Sequence, residues 1–121
     1  MNNGLGLHIL MEFNECTAEV LNDLVFLEHA MNKAAEVSKA TIIKSVFHQF
    51  SPQGVTGVIV VAESHLAIHT WPEHGYAAVD FFTCNSGMDY MKAYDFLKEQ
   101  LNSKDHSYKS ITRGIIKTTI S

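Results

Sequence analysis

Apolar positions recur at two different periods along the chain, and the switches between them mark out its elements. Leu5–Phe13 is mostly apolar and predicts a buried strand. Asn14, Glu15, Cys16 and Thr17 interrupt it. From Ala18 the spacing turns helical. Val20, Leu24, Leu27, Met31 and Ala34 form one stripe, with Glu28, Lys33 and Glu36 elsewhere on the surface. Thr17 is the expected N-cap, and Glu19 suits the positive helix end. Ala40–Phe50 is rich in β-branched and aromatic residues and predicts a second strand. Ser51-Pro52-Gln53-Gly54 reads as a turn, so Val55–Ala62 completes a hairpin. Leu66–Trp71 is a fourth strand, stopped by Pro72 and Gly75, and Tyr76–Thr83 is a fifth. Asn85-Ser86-Gly87 breaks the pattern. Met88–Leu101 is helical, with Tyr90, Tyr94, Leu97 and Leu101 on one face, and Tyr108–Thr112 predicts a sixth strand.

This order predicts an α+β fold, a mainly antiparallel sheet with two helices packed on one face. One domain is expected over residues 1–121, without repeat or linker. Tyr76–Thr83 is apolar on both alternating faces except at Asp80. A strand of that kind is covered on both sides. The other sheet face or edge is therefore expected to meet a second copy in a homodimer. Asp80 needs a partner if it is buried.

Composition removes several function classes. Hydrophobic residues make up 46% and charged residues 18%, which excludes a disordered tail. A formal net charge of -4 argues against nonspecific nucleic-acid binding, which needs a basic surface. The apolar run Val58–Ala62 falls far short of the roughly 20 residues that span a bilayer, and the first residues lack a signal-peptide pattern. No membrane partner and a cytoplasmic location are expected. Cys16 and Cys84 are too few for a disulfide framework. Seven histidines invite a search for acid–base chemistry.

The densest chemistry lies in Gly57–Glu73, where a strand runs into Glu63-Ser64-His65. In an extended segment His65, Ala67 and His69 share one face, so the two imidazoles are expected to converge beside it. Residue types alone leave three readings open. The first is a turn serine with two half-exposed histidines at a sheet edge. The second is a metal site. It is the weakest, because H-x-x-x-H suits a helix that Pro72 and the β-branched neighbours oppose. No metal is expected. The third pairs Ser64 as nucleophile with a histidine base, although the G-x-S-x-G elbow is absent.

The run Ala62-Glu63-Ser64-His65-Leu66-Ala67-Ile68-His69-Thr70-Trp71-Pro72-Glu73 resembles the signature of the prokaryotic S-adenosylmethionine decarboxylase proenzymes, a pyruvoyl-dependent family. Gly6-Leu7-His8, Glu12-Phe13, Cys16, Phe47-His48-Gln49-Phe50 and the segment Gly75–Cys84 follow that family's order and spacing. The resemblance spans nearly the whole chain and is loosest after Asn85, including Arg113–Lys117.

The resemblance implies a self-processing enzyme. The Ser64 hydroxyl attacks the Glu63 carbonyl, and β-elimination and hydrolysis cut the chain into 1–63 and 64–121. Ser64 becomes a covalently bound pyruvoyl group that forms a Schiff base with the substrate amine. It further implies His69 as the base that takes the Ser64 α-proton, since imidazole titrates near working pH. Cys84 is implied as the proton donor in decarboxylation, and Thr56 as a hydroxyl that assists processing. Phe50 and His69 are implied against the adenine, and Glu73 against the ribose hydroxyls. The implied substrate is S-adenosylmethionine, and its decarboxylated product serves spermidine synthesis. Two departures stand out. The family usually has Ser where this chain has Thr56, an extra methyl able to slow self-cleavage. It commonly has a basic residue where this chain has Leu7. Two rivals share the same residues: a pyruvoyl enzyme acting on ornithine or arginine, and an unprocessed, non-catalytic paralogue. His8, His48 and His74 receive no role, and His29 and His106 read as surface residues.

Overall fold

The computed structural model describes residues 4–84 and 87–116. Six strands are present among the described residues: β1 (Gly4–Asn14), β2 (Ile42–Gln49), β3 (Val55–Val61), β4 (Ser64–Trp71), β5 (Tyr76–Thr83) and β6 (Asp105–Ile115). They form one sheet in the order β2-β3-β4-β5-β1-β6, with every neighbouring pair antiparallel. The helices among the described residues are α1 (Ala18–Leu21), α2 (Leu24–Val37) and α3 (Tyr90–Gln100). The α+β expectation holds. The break assigned to Asn85 and Ser86 lies outside the described residues.

Alternation along the strands sends one set of side chains to each face. Ile9, Met11 and Phe13 of β1, Ile59 of β3, Leu66 and Ile68 of β4, and Val79 and Phe81 of β5 are buried with Leu27, Met31 and Leu97 of the helices. Thr70 is buried on the same side. Its hydroxyl donates to the Leu21 carbonyl at 2.8 Å and accepts from the Val55 amide at 2.9 Å. The opposite face carries no helix among the described residues. There Val46, Val58 and Val60 of β2 and β3, and Ile111 at the far edge on β6, stay 36–58% exposed.

The single helix expected from Ala18 is in fact two. Thr17 caps α1 without a side-chain hydrogen bond, and Asp23 starts α2 by accepting from the Phe26 amide at 3.1 Å. The reason lies in Asn22. Its side-chain oxygen accepts from the Gly54 amide at 2.9 Å and from Gln49 Nε2 at 2.8 Å, so it anchors the β2–β3 turn. Strand β6 runs well beyond Tyr108–Thr112 because β1 pairs with it from Gly4 to Asn14. His106, read as a surface residue, instead stacks on Tyr94 with ring centroids 5.7 Å apart. A short 3-10 turn, Pro72–His74, closes on Gly75 at φ +59, where a residue with a side chain would be strained. No helix among the described residues is long and apolar enough to cross a membrane.

Candidate active site

Ser64 sits where β3 turns into β4. Val61 pairs with Ser64, leaving Ala62-Glu63 as the connecting turn. Ser64 has φ +154, a backbone region sparsely populated by residues with side chains. Glu63 is gripped from two sides. Its carboxylate accepts from the Thr41 amide at 3.0 Å and from the Thr41 hydroxyl at 3.3 Å. Its main-chain carbonyl accepts from the Cys84 amide at 3.0 Å and from the Cys84 thiol at 3.2 Å. Two donors on one carbonyl oxygen favour negative charge building there, which is the arrangement of an oxyanion hole. Glu63, Ser64 and Cys84 therefore meet at one end of β4. The contact between Cys84 and the Glu63 carbonyl is not legible from the sequence, because it depends on the register that sets Ser64 opposite Thr83.

The other end of β4 gathers a different set. Thr56 and His69 pair across β3 and β4, and the Thr56 hydroxyl lies 3.1 Å from His69 Nδ1. The extra methyl of Thr56 leaves that contact intact. Phe50, Trp71 and Glu73 line the same cleft of about 310 Å³, at the lower end of small-molecule sites. His48 packs edge-on against Phe50 with centroids 4.6 Å apart, yet Phe50 stays 47% exposed. An aromatic ring left open in this way can receive a flat ligand ring.

The chain does not bring these two sets together. His69 lies five steps along the strand from Ser64, about 16 Å at a rise of ~3.3 Å per residue. The expected convergence of His65 and His69 fails for the same reason. Two residues of one face four apart in a strand stand about 13 Å from each other. His65 instead meets Asp80 at 3.0 Å, while His69 meets Thr56. Asp80 thus finds the partner its position demanded, and a second in His8 at 2.8 Å. Leu7 packs against the core on the helix side. Its replacement of a basic residue leaves the histidine-bearing face unaltered. Cys16 lies behind the turn after β4, its amide donating to the Gly75 carbonyl at 2.9 Å, and its half-buried thiol is pushed upward in pKa by burial against a smaller lowering by a hydrogen bond with Ser103.

The comparisons with known proteins cover both ends. The family described as S-adenosylmethionine decarboxylase matches residues 7–114. The chain belongs to that family. The S-adenosylmethionine decarboxylase proenzyme of Thermotoga petrophila is 53% identical over 100 residues, covering 83% of this chain and 77% of its own. The proenzyme of Pseudomonas aeruginosa is 49% identical over 111 residues, covering 92% and 69% respectively. The crystal structure of the adenosylmethionine decarboxylase from Aquifex aeolicus superposes with a TM-score of 0.87 at 36% identity over 98% of each chain. The family resemblance of the Ala62–Glu73 run is thereby borne out, and so is the α+β fold read from the order of the elements.

Proposed function

We propose that the chain is a self-processing, pyruvoyl-dependent decarboxylase of S-adenosylmethionine, acting in the cytoplasm as a homodimer and supplying spermidine synthesis. The observation that carries this reading is the Glu63–Ser64 junction, where a strained serine follows a carbonyl held by two donors from Cys84. The Ser64 hydroxyl adds to the Glu63 carbonyl carbon while the Cys84 amide and thiol take the charge on its oxygen. The carbon–nitrogen bond breaks, leaving an ester and a free Ser64 amine, and relief of the φ strain favours that direction. Loss of the Ser64 α-proton to an imidazole then breaks the ester carbon–oxygen bond. Glu63 leaves as a carboxylate, and water displaces ammonia from residue 64.

His69 is the proposed base, and a single chain holds it about 16 Å away from Ser64, far beyond hydrogen-bond reach. A second copy resolves this. The open sheet face is apolar where a partner is needed, at Val46, Val58, Val60 and Ile111. A two-fold axis through that face sets the His69 end of one copy over the Ser64 end of the other. Each dimer then has two composite sites.

The pyruvoyl group, once formed, supplies a ketone that captures the substrate amine and accepts the electron pair left as CO2 departs. Cys84 returns a proton to that carbon, a task suited to a small S–H donor beside residue 64. Phe50 and the His69 ring hold the adenine, and the Glu73 carboxylate accepts from the ribose hydroxyls. The cleft that holds these three groups supports a nucleoside substrate over ornithine or arginine.

Intact-mass measurement tests the reading. Two fragments split between residues 63 and 64 are expected, the second ending in a ketone where an amine would stand. Borohydride reduction in the presence of S-adenosylmethionine should leave an adduct on the 64–121 fragment alone. A chain that stays whole through long incubation would overturn self-processing and support the non-catalytic paralogue. Turnover of ornithine or arginine without turnover of S-adenosylmethionine would overturn the substrate.

A further inference from the structure

His8, His65 and Asp80 form a group whose donor atoms all lie within 4.8 Å of one another. The sheet builds it by register. His8 on β1 and His65 on β4 both pair with Phe82 of β5, and Asp80 lies two residues back on the same strand face. Both imidazoles reach diagonally to one carboxylate oxygen, His8 Nε2 at 2.8 Å and His65 Nε2 at 3.0 Å from Asp80 Oδ2. The Phe82 ring fills the space between them, with centroids 5.4 Å from His8 and 6.0 Å from His65. Gly6 makes this possible, since a Cβ there would stand 2.5 Å from the Phe82 ring.

Two histidines and a carboxylate suggest a metal, but Arg113 argues against one. Its guanidinium lies 5.2 Å from the Phe82 ring, with an amino group 3.2 Å from His8 Nδ1. A guanidinium only donates, so Nδ1 accepts and the His8 proton sits on Nε2, pointing at Asp80. A metal-bound Nε2 would have to be bare, with Nδ1 donating to an acceptor. Arg113 is the wrong neighbour for that. The group is instead a hydrogen-bonded chain running Arg113–His8–Asp80–His65 across four strands. It ends on the residue that follows Ser64.

We propose that this chain is a clamp that holds the amino end of the 64–121 fragment after scission, with Arg113, His8 and Asp80 acting as positioning residues for the ketone at residue 64. The inference rests on the self-cleavage proposed above. Before the cut, residue 64 is held through Glu63, which Thr41 and Cys84 grip. After it, that tether is gone and residue 64 has lost its amide N–H. A strand end released in this way frays unless something ties it down. Beyond the ladders to β3 and β5, the His65 side chain is the first side-chain anchor available, and Asp80 is what it is anchored to.

The test is hydrogen exchange at the amides of residues 65–67, measured in two backgrounds. In the cut protein, Asp80→Asn should raise exchange at least tenfold. In the uncut Ser64→Ala background, where Glu63 still holds the turn, the same substitution should raise it less than threefold. The cut Asp80→Asn protein should lose at least tenfold in kcat with KM within threefold. His65→Ala should show the same loss, and His65→Gln, which keeps an N–H donor, should recover much of it. Should Asp80→Asn fail to fold, His8→Gln carries the same comparison. Equal changes in both backgrounds, or none in either, overturn the clamp while leaving self-cleavage standing. A wild-type chain that never cuts sinks both.

Discussion

The two ends of β4 differ in what holds them. At the Ser64 end every contact falls on the backbone or on the turn itself: a strained φ, a carbonyl with two donors, a carboxylate tied to Thr41. At the His69 end the contacts are between side chains around an open cleft, Thr56 with His69 and His48 with Phe50. In the proposed reading the first end breaks a peptide bond and holds what remains, and the second receives a ring and places an imidazole. Neither end is complete, because bond-breaking needs a base and the imidazole needs a proton to take. The strand that joins them also keeps them apart, and this is the physical argument for two copies.

Complementation tests the separation of the two ends most directly. Ser64→Ala and His69→Ala should each be inactive alone. When the two are co-expressed, mixed dimers carry one composite site with both groups intact. Random pairing makes half the dimers mixed, each with one good site of two, so about a quarter of wild-type activity is expected. Activity at background level would place both groups of a site in one chain and remove the composite arrangement.

Cys84 sharpens the Ser64 end, because its amide and its thiol make separate contacts with the same carbonyl. Cys84→Ala keeps the amide donor and loses the thiol. Self-cleavage should slow by about tenfold, less than the loss of a full oxyanion-hole donor, since a thiol donates weakly. Decarboxylation by the cut protein should fall by a thousandfold or more. Gel analysis of scission beside CO2 release separates the two, and unchanged CO2 release would take Cys84 out of the second step.

How much of this is legible in the sequence depends on the distance over which each feature is decided. Strand Tyr76–Thr83 is found with its full boundaries, because its alternation is local and Gly75 closes the turn before it. The break between α1 and α2 is not, because Asn22 answers to Gly54, more than thirty residues on. The site residues are legible through family resemblance. Their division into two ends is not, since it requires strand register and the rise of a strand. Asp80 is visible as the odd charge in an apolar strand, but its two histidines lie on other strands and no local pattern links them.

Recognition can be weakened without touching the cut. Glu73 is exposed in the turn after β4, and the Ser64 junction owes nothing to it. Glu73→Gln should therefore be processed at the wild-type rate while KM for S-adenosylmethionine rises about tenfold, the loss of one charge-assisted hydrogen-bond pair. Phe50→Ala should act in the same direction. If either variant slowed scission as much as binding, the proposed division of labour between the ends would fail.

The smallest expected effect comes from the border of the His69 end. Tyr76 pairs with Trp71, their rings 5.4 Å apart, and its hydroxyl donates to Glu12 Oε1 at 2.7 Å. Burial, then the hydrogen bond and charge of Glu12, push the Tyr76 pKa up to about 12. The folded chain thus favours the protonated phenol. A pKa raised on folding contributes stability that is complete below the ordinary tyrosine value of about 10 and is lost as pH rises through the folded value. Wild type should exceed Tyr76→Phe in urea midpoint at pH 8, and the gap should close as the pH approaches 12. Trp71, the one tryptophan, reports the transition by fluorescence. Scission at the Ser64 end should be the same in both proteins at neutral pH. A midpoint gap that stays constant up to pH 12 would mean that the stability Tyr76 adds does not depend on its phenolic proton.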